Sequence, residues 1–220
     1  MSDKYLSNII DSSFPAGREP NRQYIGASSV GGFCDRALWY GYRYYDRIPK
    51  SAKQRRTLSI GHALESLVID SLRDAGLDIE TPSKDNAFLA VHDSEIELFQ
   101  GHIDAIWVGH AIIEIKTAKD SSFRIFEKKG LRNWYPVYYA QVQSYMGMYG
   151  LFKAYVIAIN KDTSELHDEE VEFNEGYYVS LREKAKAIIE MVEGPPAKIG
   201  NGNPAYFACR LCDFRKVCHG

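Results

Sequence analysis

The sequence predicts an α/β fold built around a mixed sheet, and three observations predict it. Apolar residues recur at helical spacing over Arg56–Ala75, with Leu58, Leu64, Leu67, Val68 and Leu72 on one stripe, and helices also read over Tyr135–Tyr149 and Glu175–Val192. Between the first two helices lie short strand-like runs at Ala87–Val91, Glu95–Phe99, His102–Val108 and Ala111–Thr117. Lys153–Asn160 then reads as a buried strand, and Leu166–Phe173 alternates apolar with acidic residues, as an edge strand does. Helix, strand meander, helix, strand, helix is the order of a sheet flanked by helices.

Taken in chain order, residues 1–33 are polar and turn-rich and read as an arm wrapped over the surface. Cys34–Tyr45 follows as a short helix with Ala37, Leu38 and Tyr42 on its apolar side. Glycines punctuate the long elements: Gly76 ends the first long helix, Gly150 the second, and Gly194-Pro195-Pro196 stops the third. From Ala197 the chain is loop-like and carries three cysteines. There is no internal repeat and no Gly/Ser linker, so the 220 residues read as one domain with an arm (1–33), a core (34–196) and a tail (197–220).

Composition excludes several classes. With 17 glycines and 8 prolines the chain is neither collagen-like nor of low complexity. No apolar run approaches the ~18 residues that span a bilayer, and the N-terminus lacks a secretory pattern, so a cytoplasmic protein without membrane contact is expected. No G-x4-G-K-[S/T] loop is present, so ATP is not expected as a ligand.

The formal charge of −2 conceals segregation along the chain. Arg47, Lys50, Lys53, Arg55 and Arg56 form one basic stretch, and Arg124, Lys128, Lys129 and Arg132 interleave with Phe123, Phe126, Trp134 and Tyr135. Each reads either as a solvated face or as a surface that neutralises phosphates and stacks bases. Acidic residues gather later, at Glu165, Asp168, Glu169, Glu170 and Glu172.

The chemistry concentrates in Gly101-His102-Ile103-Asp104, nine further residues, and Glu114-Ile115-Lys116-Thr117. Glu114 and Lys116 share one face of a strand, while Ile113 and Ile115 point oppositely into apolar packing. A carboxylate beside a lysine reads as a surface ion pair or as a metal site, in which Asp104 and Glu114 hold Mg²⁺ or Mn²⁺ and Lys116 positions a nucleophile or offsets developing charge. Register decides. A two-residue hairpin loop at Gly109-His110 would set Asp104 opposite Ile115 and turn it away from Glu114, so convergence predicts a three-residue loop, a bulge or a bend near Asp104.

His62, Gly101-x-x-Asp104, Glu114-x-Lys116 and Gln141-x-x-x-Tyr145, in that order, resemble the RecB-like nucleases of the PD-(D/E)XK superfamily. Ile103 stands where the superfamily name has proline. The resemblance implies a restriction-endonuclease-like core. It makes His62, Asp104, Glu114 and the main-chain carbonyl of Ile115 ligands of Mg²⁺ or Mn²⁺, and Lys116 catalytic. Gln141 and Tyr145 would contact DNA or brace the site, and Glu65 is a further acidic candidate.

Cys209, Cys212 and Cys218 have C-x2-C-x5-C spacing, which leaves one position of a four-thiolate set for Cys34. Two disulfides do not suit a reducing compartment, and the spacing alone leaves zinc and an iron–sulfur cluster open. One early cysteine plus this C-terminal motif is similar to the iron–sulfur nucleases associated with CRISPR adaptation and bacterial recombination helicases. That implies a 4Fe–4S cluster joining the N- and C-terminal segments, with Arg36, Arg210, Arg215 and Lys216 beside it.

The functional expectation is a metal-dependent DNA nuclease, an exonuclease by resemblance, acting on DNA that is single-stranded or has free ends. The alternative is a nuclease-like module that binds DNA without cutting it inside a recombination or CRISPR-type complex. A zinc-stapled interaction protein is the third reading. Protein partners in recombination or defence follow from the resemblance alone.

Overall fold

The computed structural model describes residues 5–14, 22–43, 45–82 and 90–220. A five-stranded mixed sheet has the order β2-β5-β6-β7-β8, formed by Ile79–Glu80, Ala105–Trp107, Ala111–Ala118, Lys153–Asn160 and Leu166–Glu172. Within this sheet, among the described residues, β6–β7 is the parallel pairing and the others are antiparallel. A second sheet has the order β1-β4-β3, from Ile25–Gly26, Phe99–His102 and Ala90–His92. The helices are α1 (Tyr5–Ser12), α2 (Ala27–Val30), α3 (Asp35–Tyr42), α4 (Ala52–Asp74), α5 (Asp120–Lys129), α6 (Leu131–Trp134), α7 (Pro136–Tyr149), α8 (Glu175–Glu190), α9 (Phe207–Arg210) and α10 (Arg215–His219).

Strand β6 sits mid-sheet with both faces covered. Ile113 and Ile115 pack with Val68 and Ile69 of α4, while Ile112 lies in the larger core with Val142, Tyr145 and Met146 of α7. The parallel β6–β7 crossover runs through α5, α6 and α7, consistent with the long connection that parallel strands require. Strand β8 lies at the sheet edge, as its alternation predicts, and two of its acidic side chains have partners nearby. Glu170 pairs with Lys153 and Tyr155, which hold its carboxyl below the usual range, and Glu169 accepts from the Leu131 backbone N–H at 2.7 Å.

Several sequence expectations need correction. Helix α4 starts at Ala52 rather than Arg56, because Ser51 and Gln54 form a reciprocal capping box ahead of it. Leu58 and Leu67 are exposed, and the buried residues of α4 are Val68 and Ile69, from the half that meets the sheet. The expected strand over Glu95–Phe99 is instead a turn: Asp93 is buried and accepts from the backbone N–H groups of Glu95 and Ile96. The expected strand over His102–Val108 is divided at Ile103-Asp104, with its two parts in different sheets. Of the run at Ala87–Val91, residues 87–89 lie outside the described residues, and the described strand is Ala90–His92. The arm is not merely a surface wrap, since Ile25, Ala27 and Val30 are core residues.

The basic–aromatic cluster near Arg124 is also different from a stacking surface. Phe123, Phe126 and Leu131 are fully buried, and Phe126 stacks on Trp134 at 4.5 Å. Arg124 is engaged by Asp120, Glu127 and Glu165. Among the described residues no helix is long and apolar enough to cross a membrane.

Candidate active site

The site grows out of one turn. Trp107 O accepts from His110 N at 2.9 Å, and Gly109 has φ +73°, a conformation that favours glycine. The hairpin loop is therefore Val108-Gly109-His110, three residues long, and the ladder pairs Ala105 with Ile113 and Trp107 with Ala111. Continuing that register by one residue sets Asp104 against Glu114, the relationship that a two-residue loop forbids.

Strand β5 begins only at Ala105, so beyond Ile113 the β5-facing edge of β6 has no strand beside it. Asp104 takes over there, its Oδ2 accepting from the Ile115 backbone N–H at 2.9 Å. The N–H and C=O of one strand residue face the same side, so the Ile115 carbonyl opens toward the same edge.

Glu114 is completely buried, with Oε1 paired to the Lys116 ammonium and Oε2 buried without a hydrogen-bond partner. Burial and the neighbouring Asp104 carboxylate push its pKa up to about 8, against the opposing pull of Lys116. Burial acts to lower the Lys116 pKa, but Glu114 and Asp104 outweigh it and hold the ammonium above its usual range. The Lys116 Nζ also lies 4.9 Å from the centroid of the Tyr138 ring.

Glu65, on α4, belongs to this constellation: burial and then Asp104 raise its pKa. His62 stands beside Glu65 on the same helix. Its side chain is 80% exposed and its Nδ1 lies 3.6 Å from Glu65 Oε2. Gln141 and Tyr145 are both buried and joined by a 2.9 Å hydrogen bond, which fits bracing rather than contact with a ligand. Burial and then Glu114 raise the Tyr145 pKa. A Cβ on Gly101 would come within 2.3 Å of the Tyr145 ring, so glycine is what allows β4 to lie against α7.

Tyr138 and Glu65 carry more of this site than the sequence motifs indicate. Tyr138, Gln141 and Tyr145 are spaced three and four apart on α7, and His62 and Glu65 three apart on α4. Those spacings place each set on one helix face.

The four cysteines are free thiols. All four line one small cavity with Arg36, Tyr40 and Phe214, and burial, with Cys34, Asp213 and Cys209 nearby, raises the Cys212 thiol pKa against the opposing pull of a backbone hydrogen bond at Phe214. Among the described residues, no three or more His, Cys, Asp or Glu side chains form a group that could hold a metal ion as placed.

The mixed sheet flanked by helices is similar to the fold of exonucleases of known structure. An alkaline exonuclease from Laribacter hongkongensis superposes with TM-score 0.58 at 16% identity, over 83% of this chain and 90% of that one. The same exonuclease in complex with dAMP gives 0.59 at 16% identity, over 77% and 87%. A protein designated SSO0001 gives 0.55 at 18% identity, over 97% and 94%. No protein-family model matches the chain, and no curated protein sequence does.

Proposed function

We propose that this protein is a metal-dependent deoxyribonuclease, an exonuclease acting on DNA that is single-stranded or carries free ends. One observation carries the reading: a buried Glu114 oxygen has no donor, its other oxygen pairs with Lys116, and the Asp104 carboxylate, bonded to the backbone N–H of Ile115, acts on Glu114 to raise its pKa. A buried carboxylate oxygen lacking a partner is costly, and a hard divalent cation is the ligand its chemistry fits. Asp104, Glu114 and the Ile115 carbonyl would hold Mg²⁺ or Mn²⁺, with His62 and Glu65 at its margin. Such a cation polarises a phosphoryl oxygen and lowers the pKa of bound water.

The chain's own residues supply the remainder. The Lys116 ammonium, held charged by two carboxylates, offsets the negative charge that builds on a phosphoryl group during displacement. Tyr138 fixes the ammonium from its ring face, and the Gln141–Tyr145 pair fixes the strand leading to Asp104 through Gly101. The likeness to exonuclease structures supports the reading at the level of the fold.

The cysteine cavity belongs to the same proposal, as the seat of a 4Fe–4S cluster, with zinc the alternative occupant. Support comes from four thiols converging on one cavity from both ends of the chain, with soft sulfur donors suited to either. Cytoplasmic residence in a recombination or defence setting accords with free thiols.

The test uses 5′- and 3′-labelled single- and double-stranded DNA with Mg²⁺, Mn²⁺ or chelator. Stepwise shortening that needs the cation and disappears in Lys116→Ala supports the reading. Binding without cleavage in every condition would identify the non-cutting module instead.

A further inference from the structure

A cavity of about 650 Å³, open to solvent, is lined by residues that have no part in the chemistry described above. Arg22, Arg47 and Lys50 line it, against Asp213 as the one acidic residue among the described lining residues. Aromatic rings are exposed around it: Phe33 is 60% accessible, Phe207 53% and Tyr135 46%. Phe33 and Phe207 meet edge to face at 5.6 Å and both remain exposed. Such exposed aromatic surface beside clustered positive charge is unusual on a protein surface unless it meets a partner.

Two ring contacts connect the cavity to the carboxylates. Tyr24, in its wall, lies 6.4 Å from the ring of His102, two residues before Asp104. Tyr135, also in its wall, lies 4.3 Å from Tyr138, the ring that holds Lys116.

We propose that this cavity is a binding groove for the single-stranded segment of DNA adjoining the scissile phosphate, with unpaired bases on Tyr24, Phe33 and Tyr135 and phosphates at Arg22, Arg47 and Lys50. The inference rests on the nuclease reading and deepens it by naming the strand form of the substrate. Bases in a duplex show only their edges in the grooves, whereas an unpaired strand offers the faces that aromatic side chains stack on. The basic groups follow the backbone independently of sequence, so the groove selects strand state and not base identity. Cys34 and Cys212 lie in the wall of this cavity as well as in that of the cysteine cavity, so the segments that carry these cysteines also build the groove.

The experiment measures fluorescence anisotropy of a labelled oligothymidylate, and of a duplex of equal length, bound to the full chain in chelator, where no cutting occurs. Wild type is expected to prefer the single strand by about tenfold or more, and Phe33→Ala to weaken that binding by about fivefold or more, the scale of one lost stacking contact. Duplex binding should be unchanged in Phe33→Ala, which also reports intact folding. Arg22→Ala should lower the salt slope of single-strand binding by about one. Equal affinity of wild type for both forms, or single-strand binding unaltered in both variants, overturns the groove. The separate assay of wild type with Mg²⁺ or Mn²⁺ judges the nuclease reading: no cutting there, with strand preference intact, removes the activity and leaves the groove standing.

Discussion

The Asp104 carboxylate accepts the Ile115 backbone N–H at 2.9 Å, so a side chain completes the hydrogen bonding of β6 where strand β5 has not yet begun. That bond does two things at once. It satisfies a strand N–H that would otherwise lack a partner, and it fixes a carboxylate that acts on the charge of Glu114. Structure and proposed chemistry are separable here, because an amide oxygen can accept the same bond without carrying charge.

Asp104→Asn is therefore expected to fold with a melting temperature within a few degrees of wild type while losing at least ~100-fold in metal-dependent cleavage. Asp104→Ala should lose activity equally and melt lower, since it strands the Ile115 N–H. Thermal melts and cleavage assays on the two variants check the separation.

Glu114 provides a pH signature in the metal-free protein. Its pKa rises from an ordinary carboxylate value to about 8 on folding, through burial and Asp104. The folded state thus favours the protonated form, so this contribution to stability is complete below the unfolded pKa and is lost as pH rises through about 8. In chelator, wild type should lose up to a few kcal/mol relative to Glu114→Gln as the pH climbs from about 5 to 8, because each pH unit in that window costs at most ~1.4 kcal/mol. Denaturant unfolding across that range is the measurement; a difference that grows in the opposite direction contradicts the assigned burial.

Gly101→Ala tests how β4 lies against α7. The added Cβ would stand 2.3 Å from Tyr145 Cε1, which forces the ring or the strand to move. A loss of about 1–3 kcal/mol is expected, in line with overpacking of a close core contact, together with reduced cleavage. The double variant Gly101→Ala/Tyr145→Leu should recover part of the stability and none of the lost activity.

The cysteines make an analytical prediction. Protein purified without oxygen should carry iron and acid-labile sulfide in a ratio near one, and Cys212→Ser should lose both and melt lower. A cross-link between Cys34 and the tail closes nearly the whole chain, worth on the order of 5 kcal/mol if loop-closure entropy is borrowed for scale. Stoichiometric zinc with neither iron nor sulfide would assign the cavity to zinc instead.

What is legible in the sequence follows from the range over which each element is determined. Lys153–Asn160 is a strand with the bounds its apolar run predicts, and the hairpin after Trp107 has the three-residue loop that is one of the irregularities convergence requires. Both are local matters of pattern and loop length. Phe123, Phe126 and Trp134 are ambiguous in sequence, because an aromatic between basic residues looks alike in a helix core and on a nucleic-acid surface until the helix's buried face is known. Ile25, Ala27 and Val30 read as surface because their burial depends on α7, over a hundred residues away. Glu65 draws little weight from sequence for the same reason: nothing local to α4 shows that it faces Asp104.

The central claim is that Asp104 and Glu114 share one divalent cation. Crystals grown with Mn²⁺ and measured at the manganese absorption edge test it most directly. The account expects one anomalous peak within ~2.0–2.3 Å of an oxygen from each carboxylate, near the Ile115 carbonyl, and its disappearance in Asp104→Asn. An enzyme that cleaves DNA while the peak lies elsewhere, or while these two side chains bind nothing, contradicts it.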